Sequence, residues 1–225
     1  MKYDQNWATA AAVEDAKDAK DQQGLSKEGK AIVRRMNQLG MMIDLSHASK
    51  KTFYEVLKIS NKPVLVSHSN AAALTAHSRN LDDNQLLLLK KNKGIVGVNF
   101  YSGFLDSSYD DRLKAIYTEQ ENKEPTEKMS TSAQYDKLSA DNKLRADAPL
   151  ERLLEHIDYL VDKVGIDHVA IGSDFDGIES APVGLGDVSK FPVLTKALLE
   201  RGYNKEELEK IMGLNFLRIL KENEN

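Results

Sequence analysis

Short apolar runs alternate with longer periodic segments along most of the chain. The apolar runs cover residues 41–45, 64–66, 95–100 and 169–172. In the longer segments, apolar residues recur every three or four positions, which predicts helices. We expect these helices at residues 26–39, 49–60, 82–92, 149–164, 191–201 and 205–221. Since short strands that are apolar on both faces are typical of a helix-covered parallel sheet, the pattern predicts an α/β fold with about four parallel strands and flanking helices.

Two segments depart from this rhythm. Residues 1–24 are small, polar and charged, so we expect a loop or weak helix at an open chain end. Residues 105–147 are rich in charge and too long for a simple connection, which predicts a lid-like excursion over the sheet. The expected organisation is therefore a loose start at 1–24 and one α/β unit at 25–225 that carries this insertion.

Polar residues follow each of the predicted strands. His47 comes directly after the first strand and His68 directly after the second. Ligands and catalytic groups collect at the carboxyl ends of parallel strands, and neutral imidazole is a good zinc ligand. We therefore take both histidines as candidate metal ligands. The alternative is that both only satisfy backbone groups where the loops begin.

Asp174 and Asp176 follow the fourth strand and form a second candidate. A carboxylate beside a metal site could bind the ion or move a proton, although Asp-Phe-Asp-Gly is also good turn chemistry. Arg79 precedes a predicted helix and could hold a substrate carboxylate with two hydrogen bonds, or be a surface arginine.

The three remaining histidines receive simpler interpretations. His156 shares a helix face with apolar residues and is expected to pack in the core. His168 lies at the amino end of a strand, the end associated with stability. His77 stands in a loop and could line the site, but it is expected to be exposed.

Composition narrows the chemistry further. The 225 residues carry 31 Lys and Arg against 35 Asp and Glu, a net charge of −4, which argues against a nucleic-acid partner. There is no cysteine, so a metal would be held by His, Asp or Glu. No apolar run has the roughly 20 residues needed to cross a bilayer, and we expect a cytoplasmic location.

Five ordered blocks of sequence resemble the membrane dipeptidase family, also called renal dipeptidases. They are GMMIDLSH, VSHSNAAA with HSRNLDD, VNFYSGFL, GSDFDG and EELEKIMGLNFLRIL. The family consists of zinc peptidases with a (β/α)₈ TIM-type barrel, and the likeness runs from about Gly24 to the end. It implies that this chain is the C-terminal half of such a barrel.

The resemblance also implies roles for individual residues. His47 and His68 would bind one metal of a two-zinc centre, and Asp174 would contact the bridging water and handle its proton. Arg79 would hold the terminal carboxylate of a dipeptide. Tyr101 is a further candidate for substrate binding, although the family's tyrosine aligns with Phe104. The implied reaction is hydrolysis of a dipeptide by a zinc-activated water.

The sequence departs from the family at its start. The family's first zinc is held by a His-x-Asp pair and a bridging glutamate, and residues 1–24 supply neither. We therefore expect a partial zinc site and weak hydrolysis. The isolated chain is expected either to associate with a second copy or a complementing half-barrel, or to be only marginally stable. The alternatives are a non-catalytic remnant or assembly partner that keeps the scaffold, and another barrel amidohydrolase.

Overall fold

A three-stranded parallel sheet forms the centre of the protein. The computed structural model describes residues 7–11, 24–121 and 135–225, without the side chains of residues 120 and 121. The strands are β1 (Leu65–Ser69), β2 (Ile95–Val98) and β3 (Val169–Ile171), in the order β1-β2-β3. Both pairs are parallel. The predicted α/β class with a parallel sheet is confirmed.

The first predicted strand is reduced to a single parallel bridge beside β1. The Leu65 amide donates to the Ile43 carbonyl at 2.9 Å, and the Leu45 amide donates to the Leu65 carbonyl at 2.8 Å. The run ends there because the carboxylate of Asp44 accepts hydrogen bonds from Ser46 and so favours a turn. The order of segments across the sheet still follows the sequence.

Helices cover the sheet, and most begin close to the predicted residues. Their bounds are α1 (Lys27–Gln38), α2 (Lys50–Ile59), α3 (Asp83–Lys91), α4 (Ser102–Leu105), α5 (Tyr109–Glu121), α6 (Ala140–Ala146), α7 (Leu150–Val164), α8 (Phe191–Glu200), α9 (Lys205–Glu209) and α10 (Asn215–Asn223). Ser26, Ser49 and Asp82 each accept a backbone N–H in the first turn of the following helix. Each cap side chain binds a backbone amide only three residues ahead, so the starts of these helices are determined locally.

One helix that was predicted to be continuous is interrupted in the structure. The segment 205–221 is divided by a π-helical turn, Lys210–Leu214, between α9 and α10. Gly213 lies inside this turn with φ 175°, a value outside the helical range. Glycine has low helix propensity, which favours an interruption at this position. The break lets α10 return toward β2 and β3.

The main core lies between the sheet and the helices. Apolar side chains of β1 and β2 meet those of α2, α3 and α7 and have almost no exposed surface. The residues concerned are Phe53, Val56, Val66, Leu86, Leu89, Val96, Val98, Leu153, Ile157 and Leu160. This packing fixes the strands and therefore the loops at their carboxyl ends.

The predicted excursion at 105–147 builds a smaller core of its own. Tyr109, Leu113 and Ile116 of α5 pack with Tyr135 and Leu138. Part of the predicted lid, 122–134, lies outside the described residues. Of the predicted loose start, residues 7–11 make antiparallel bridges to Leu25 and Ala48, and residues 1–6 and 12–23 lie outside the described residues. Within the described ranges, no helix is long and apolar enough to cross a membrane.

Gly97 of β2 and Gly172, which directly follows β3, both lie close to the backbone of β1. A Cβ atom on Gly172 would stand 1.8 Å from the Ser67 carbonyl oxygen, and one on Gly97 would stand 2.2 Å from it. These distances leave no room for a side chain, because the obstacle is backbone. The register of β1 against β2 also shifts between Val66 and Ser69, which bends the strand just before the candidate site.

We expect Gly172→Ala to lower the free energy of unfolding by about 3 kcal/mol, since the added methyl group must push two strands apart. Urea denaturation would measure the loss. Gly186→Ala is the matched control, because a Cβ there meets nothing within 4 Å. An equal, small effect of both substitutions would contradict the close approach at Gly172.

Candidate metal centre

The two candidate ligand histidines converge at the carboxyl end of the sheet. Their Nε2 atoms lie 3.0 Å apart, and their ring centroids lie 5.0 Å apart at an interplanar angle of 62°. Two imidazole nitrogens on one tetrahedral zinc, each about 2.0–2.1 Å from the ion, are separated by about 3.3 Å. The pair therefore has the spacing that one ion requires.

A hydrogen-bonded relay fixes the orientation of His68. The Ser67 hydroxyl donates to Asp44 Oδ2 at 2.5 Å and lies 2.6 Å from His68 Nδ1. Because a carboxylate only accepts, the single hydroxyl proton goes to Asp44, and His68 Nδ1–H donates to the Ser67 oxygen. His68 Nε2 is then left with its lone pair toward His47. A carboxylate that orients a histidine in this way is typical of metal sites.

Asp44 is held as a carboxylate by four hydrogen bonds. Burial would raise the pKa of Asp44, but donors from Ser67 and Ser46 outweigh it and hold the pKa below its usual value. The donors are the amide and the hydroxyl of each serine. Sequence reasoning did not select Asp44 or Ser67 for this role. The available signals were the spacing Asp-x-Ser and a serine directly before His68.

The N-terminal described segment holds the His47 loop in place. The Ala11 amide donates to the His47 carbonyl at 2.8 Å, and the Ser49 amide donates to the Thr9 carbonyl at 3.0 Å. The Thr52 hydroxyl also donates to the Thr9 carbonyl. His47 therefore sits on a loop that is fixed from both sides.

Both histidines are held neutral, which is the form that binds a metal. Burial, followed by the nearby Arg79 cation, lowers the pKa of His47 to about 3. Burial also lowers the pKa of His68, against the opposing effect of the Asp174 carboxylate.

Asp174 stands beside the pair on the loop after β3. Its Oδ2 lies 3.9 Å from His68 Nε2 and accepts a hydrogen bond from Asn99 Nδ2 at 3.1 Å. Its backbone is left-handed, with φ 62°, and its carbonyl accepts from the Gly177 amide at 2.8 Å. The residue therefore makes a turn and also points a carboxylate at the site. Asp176 is exposed.

Arg79 is built into the loops that carry the two histidines. Its Nε donates to the Ser46 carbonyl at 2.9 Å, and its Nη2 lies 3.4 Å from the His68 carbonyl oxygen. The Cζ atom stands 5.4 Å from the centre of the Phe104 ring. Burial lowers the pKa of Arg79 to about 10, and the group remains a cation at neutral pH. Arg79 is therefore not a free surface arginine.

Tyr101 contacts the loop after β3. Its hydroxyl donates to Glu179 Oε1 at 2.8 Å, and its ring packs edge-on against Phe104 with centroids 4.8 Å apart. Phe104 also contacts the ring of His77, 4.4 Å away. The ring of Phe104 therefore contacts both Tyr101 and Arg79.

His156 and His168 lie outside the candidate site. His156 is fully buried and is hydrogen-bonded to Ala71 and Leu105. His168 Nδ1 donates to the Gly94 carbonyl at 2.7 Å, at the amino end of β3. A cavity of about 890 Å³ also lies at the amino end of the sheet, beside Pro63, Asn92 and Lys93. None of the candidate site residues lines it.

The donor set suits a metal ion but is incomplete. Two neutral, oriented imidazoles are zinc ligands, whereas a catalytic zinc usually has three protein ligands. Within residues 7–11, 24–121 and 135–225, no group of three or more His, Cys, Asp or Glu side chains is placed to hold an ion. The described residues therefore supply two candidate donors, fewer than a catalytic zinc usually has.

Comparison with known proteins identifies the family of the chain. The family model described as "Membrane dipeptidase (Peptidase family M19)" matches residues 1–225. The chain belongs to the membrane dipeptidase family. It is 37% identical to dipeptidase tcpJ of Claviceps purpurea over 90% of its own length and 39% of that protein. It is 36% identical to a Klebsiella pneumoniae protein described as "Uncharacterized protein in pqqA 5'region", over 60% of that protein.

Solved structures of dipeptidases share the fold of this dipeptidase-family chain. A metallopeptidase from Rhodobacter sphaeroides, solved with a phosphinate mimic of the dipeptide L-Ala-D-Ala, matches with a TM-score of 0.70 and 32% identity. The match covers 90% of this chain and 48% of that one. The probable dipeptidase PvdM from Pseudomonas aeruginosa matches with a TM-score of 0.75 over 97% of this chain and 60% of that one. The chain thus spans about two fifths to three fifths of the length of these relatives.

Proposed function

We propose that this chain carries part of a zinc centre that hydrolyses dipeptides. The observation that supports the proposal most directly is the 3.0 Å approach of His47 Nε2 to His68 Nε2 at the carboxyl end of the sheet. Membership of a metallopeptidase family supplies the reaction class. His47 and His68 would hold the ion, and bound zinc would polarise a carbonyl and lower the pKa of a water.

Asp174 is proposed to accept and return the proton of the attacking water. Its carboxylate is 3.9 Å from His68 Nε2 and is oriented by Asn99. A general base must lie within hydrogen-bonding reach of the water, directly beside the ion. The backbone of Asp174 is left-handed and is closed by the Gly177 amide, so the residue that carries this carboxylate is held in a turn.

Arg79 is proposed to bind the terminal carboxylate of the dipeptide. Two of its nitrogens contact the His47 and His68 loops, and within the described part of the chain Nη1 has no protein partner. The cation is therefore held at a fixed place beside the metal ligands. The phosphinate mimic bound by the Rhodobacter relative makes L-Ala-D-Ala a suitable test substrate. Tyr101 would act at the edge of the substrate site, beyond Phe104.

The sheet is proposed to be part of a (β/α)₈ barrel. The described sheet has three strands and one bridge, and the Rhodobacter structure is about twice as long as the matched region. Further strands and the remaining metal ligands would come from a second copy or from a complementing half-barrel. A non-catalytic chain that keeps the scaffold is the second candidate, because the described residues provide only a two-histidine donor set.

Zinc-dependent hydrolysis of L-Ala-D-Ala tests the proposal. We expect slow turnover that needs added zinc, stops with a chelator, and falls at least about 100-fold in Asp174→Asn, which keeps the turn but removes the proton acceptor. Asp176→Asn is the matched control, since Asp176 is exposed on the same loop. Turnover that survives chelation would contradict the proposal. No turnover with the histidines loaded with zinc would favour the non-catalytic scaffold.

A further inference from the structure

Two buried asparagines join the ends of the first two strands. Asn70 directly follows β1 and Asn99 directly follows β2, and both residues are fully buried. Asn70 Oδ1 accepts the Asn99 amide at 3.1 Å, and Asn70 Nδ2 donates to the Asn99 carbonyl at 3.1 Å. These bonds lie just beyond the last strand pair, Ser69 with Val98. One side-chain amide therefore holds the Asn99 backbone through both of its polar groups.

The Asn99 side chain has only one favourable orientation. Its Oδ1 accepts the Tyr101 amide at 2.6 Å, and its Nδ2 donates to Asp174 Oδ2 at 3.1 Å. A reversed side-chain amide would set two N–H groups against each other at Tyr101 and two oxygens against each other at Asp174. Asn99 is therefore a fixed donor to the carboxylate, built on a backbone that is itself held in place.

The other oxygen of the Asp174 carboxylate lies against Gly177. A Cβ atom on Gly177 would stand 2.3 Å from Asp174 Oδ1, which is too close for a real contact. Gly177 does not have a left-handed backbone, so its φ angle does not require glycine. The missing side chain at this position instead leaves the space that the carboxylate occupies.

We propose that Asn99 and Gly177 are positioning residues that fix the Asp174 carboxylate for proton transfer. Asn99 holds Oδ2 with a directed N–H, and Gly177 leaves room for Oδ1. The inference rests on the proposed function, in which Asp174 accepts the proton of the attacking water. A small displacement of a reacting group is enough to slow the chemical step strongly.

Gly177→Ala tests this role without removing an acidic group. The added methyl group meets the end of a flexible side chain and no backbone atom, so the variant should melt close to the parent. With added zinc, we expect kcat for L-Ala-D-Ala to fall at least about tenfold and KM to stay within about threefold, because Arg79 is unchanged. Gly186→Ala is the matched control on the segment after β3, since a Cβ there meets nothing within 4 Å.

Asn99→Ala separates positioning from a loss of stability. Its control is Asn223→Ala, which removes another fully buried asparagine whose Nδ2 donates to the Pro63 and Ile219 carbonyls. Both variants should melt at lower temperature than the parent, because each loses buried hydrogen bonds. Only Asn99→Ala should lower kcat at temperatures where both variants remain folded.

Nitrogen-15 NMR of the Asn99 side chain reads the placement of the carboxylate without turnover. Gly177→Ala should shift the Asn99 Nδ2 signals, because it displaces the Asp174 carboxylate that accepts from them, and Gly186→Ala should leave them unchanged. A parent chain that shows this response but no turnover would contradict the proposed reaction and leave the placement of Asp174 standing. Unchanged Asn99 signals in Gly177→Ala, or equal kcat values for Gly177→Ala and Gly186→Ala, would overturn the inference.

Discussion

Replacing His156 by alanine is expected to lower the free energy of unfolding by about 4 kcal/mol. His156 lies on α7 and is completely buried. Its Nδ1 accepts the Ala71 amide at 3.1 Å, so Nε2 carries the proton and donates to the Leu105 carbonyl at 3.2 Å. Alanine would leave a buried donor, a buried acceptor and a cavity.

Urea denaturation measures this loss, with His168→Ala as the control. His168 is half-buried and makes one side-chain hydrogen bond, to the Gly94 carbonyl, so its loss should cost about 1 kcal/mol. If the two substitutions cost the same, His156 would be an ordinary packing residue.

The stability of His156→Ala should depend less on pH than the stability of the parent protein. Burial lowers the pKa of His156 from 6.5 to about 4, so the unfolded chain takes up a proton before the folded protein does. The stabilisation by neutral His156 is therefore complete above pH 6.5 and is lost as the pH falls toward 4. The difference in free energy of unfolding between the parent and His156→Ala should fall by about 2 kcal/mol as the pH is lowered from roughly 7.5 to 4.5. His47 and His68 titrate in both proteins, and their effect cancels in the comparison.

Local sequence signals predicted the elements, whereas long-range contacts set the details. Ser26, Ser49 and Asp82 gave correct helix starts because each cap binds an amide three residues ahead. The break at Gly213 was missed because apolar periodicity continues through it. The shortening of the first strand was missed because it depends on how the Asp44 carboxylate is hydrogen-bonded.

The residues of the candidate site also fall into those that local sequence signals predicted and those that depend on long-range contacts. His47 and His68 were found because both follow apolar strands, and adjacent parallel strands bring such residues together. The relay through Asp44 and Ser67 was not found, since Asp44 lies 23 residues from Ser67. His156 was predicted as a packing residue, and its hydrogen bonds join segments 85 and 51 residues away.

Removing the two histidines is expected to abolish specific zinc binding. His47→Ala and His68→Ala should each weaken zinc binding by more than about 100-fold, and the double variant should bind only at background level. Zinc titration against a chelating indicator measures this. His168→Gln is the control, because His168 lies at the amino end of β3 and its loss leaves the site intact.

Asp44→Asn should give an intermediate loss of zinc affinity, about tenfold. The amide would turn an N–H toward the Ser67 hydroxyl and leave the hydroxyl proton without its acceptor. This proton would then compete with the His68 Nδ1–H for the short contact between Ser67 and His68. The His68 ring would lose its fixed orientation while both ligands remained. Zinc affinity that is unchanged in Asp44→Asn would show that the relay does not act on the metal.

The hydrogen bonding of His47 and His68 allows a metal-binding role to be distinguished from a purely structural role. Within the described residues, neither imidazole ring makes a hydrogen bond to the backbone; His68 contacts Ser67 and His47 through side-chain atoms. Without metal, His68 Nε2 has no proton, so His47 Nε2–H donates to it across 3.0 Å. An ion that binds both Nε2 atoms must move the His47 proton to Nδ1. Nitrogen-15 NMR should therefore report a tautomer change of His47, with His68 unchanged, when zinc is added. Stability that falls in His47→Ala without any such change would mean that the histidines serve only the fold.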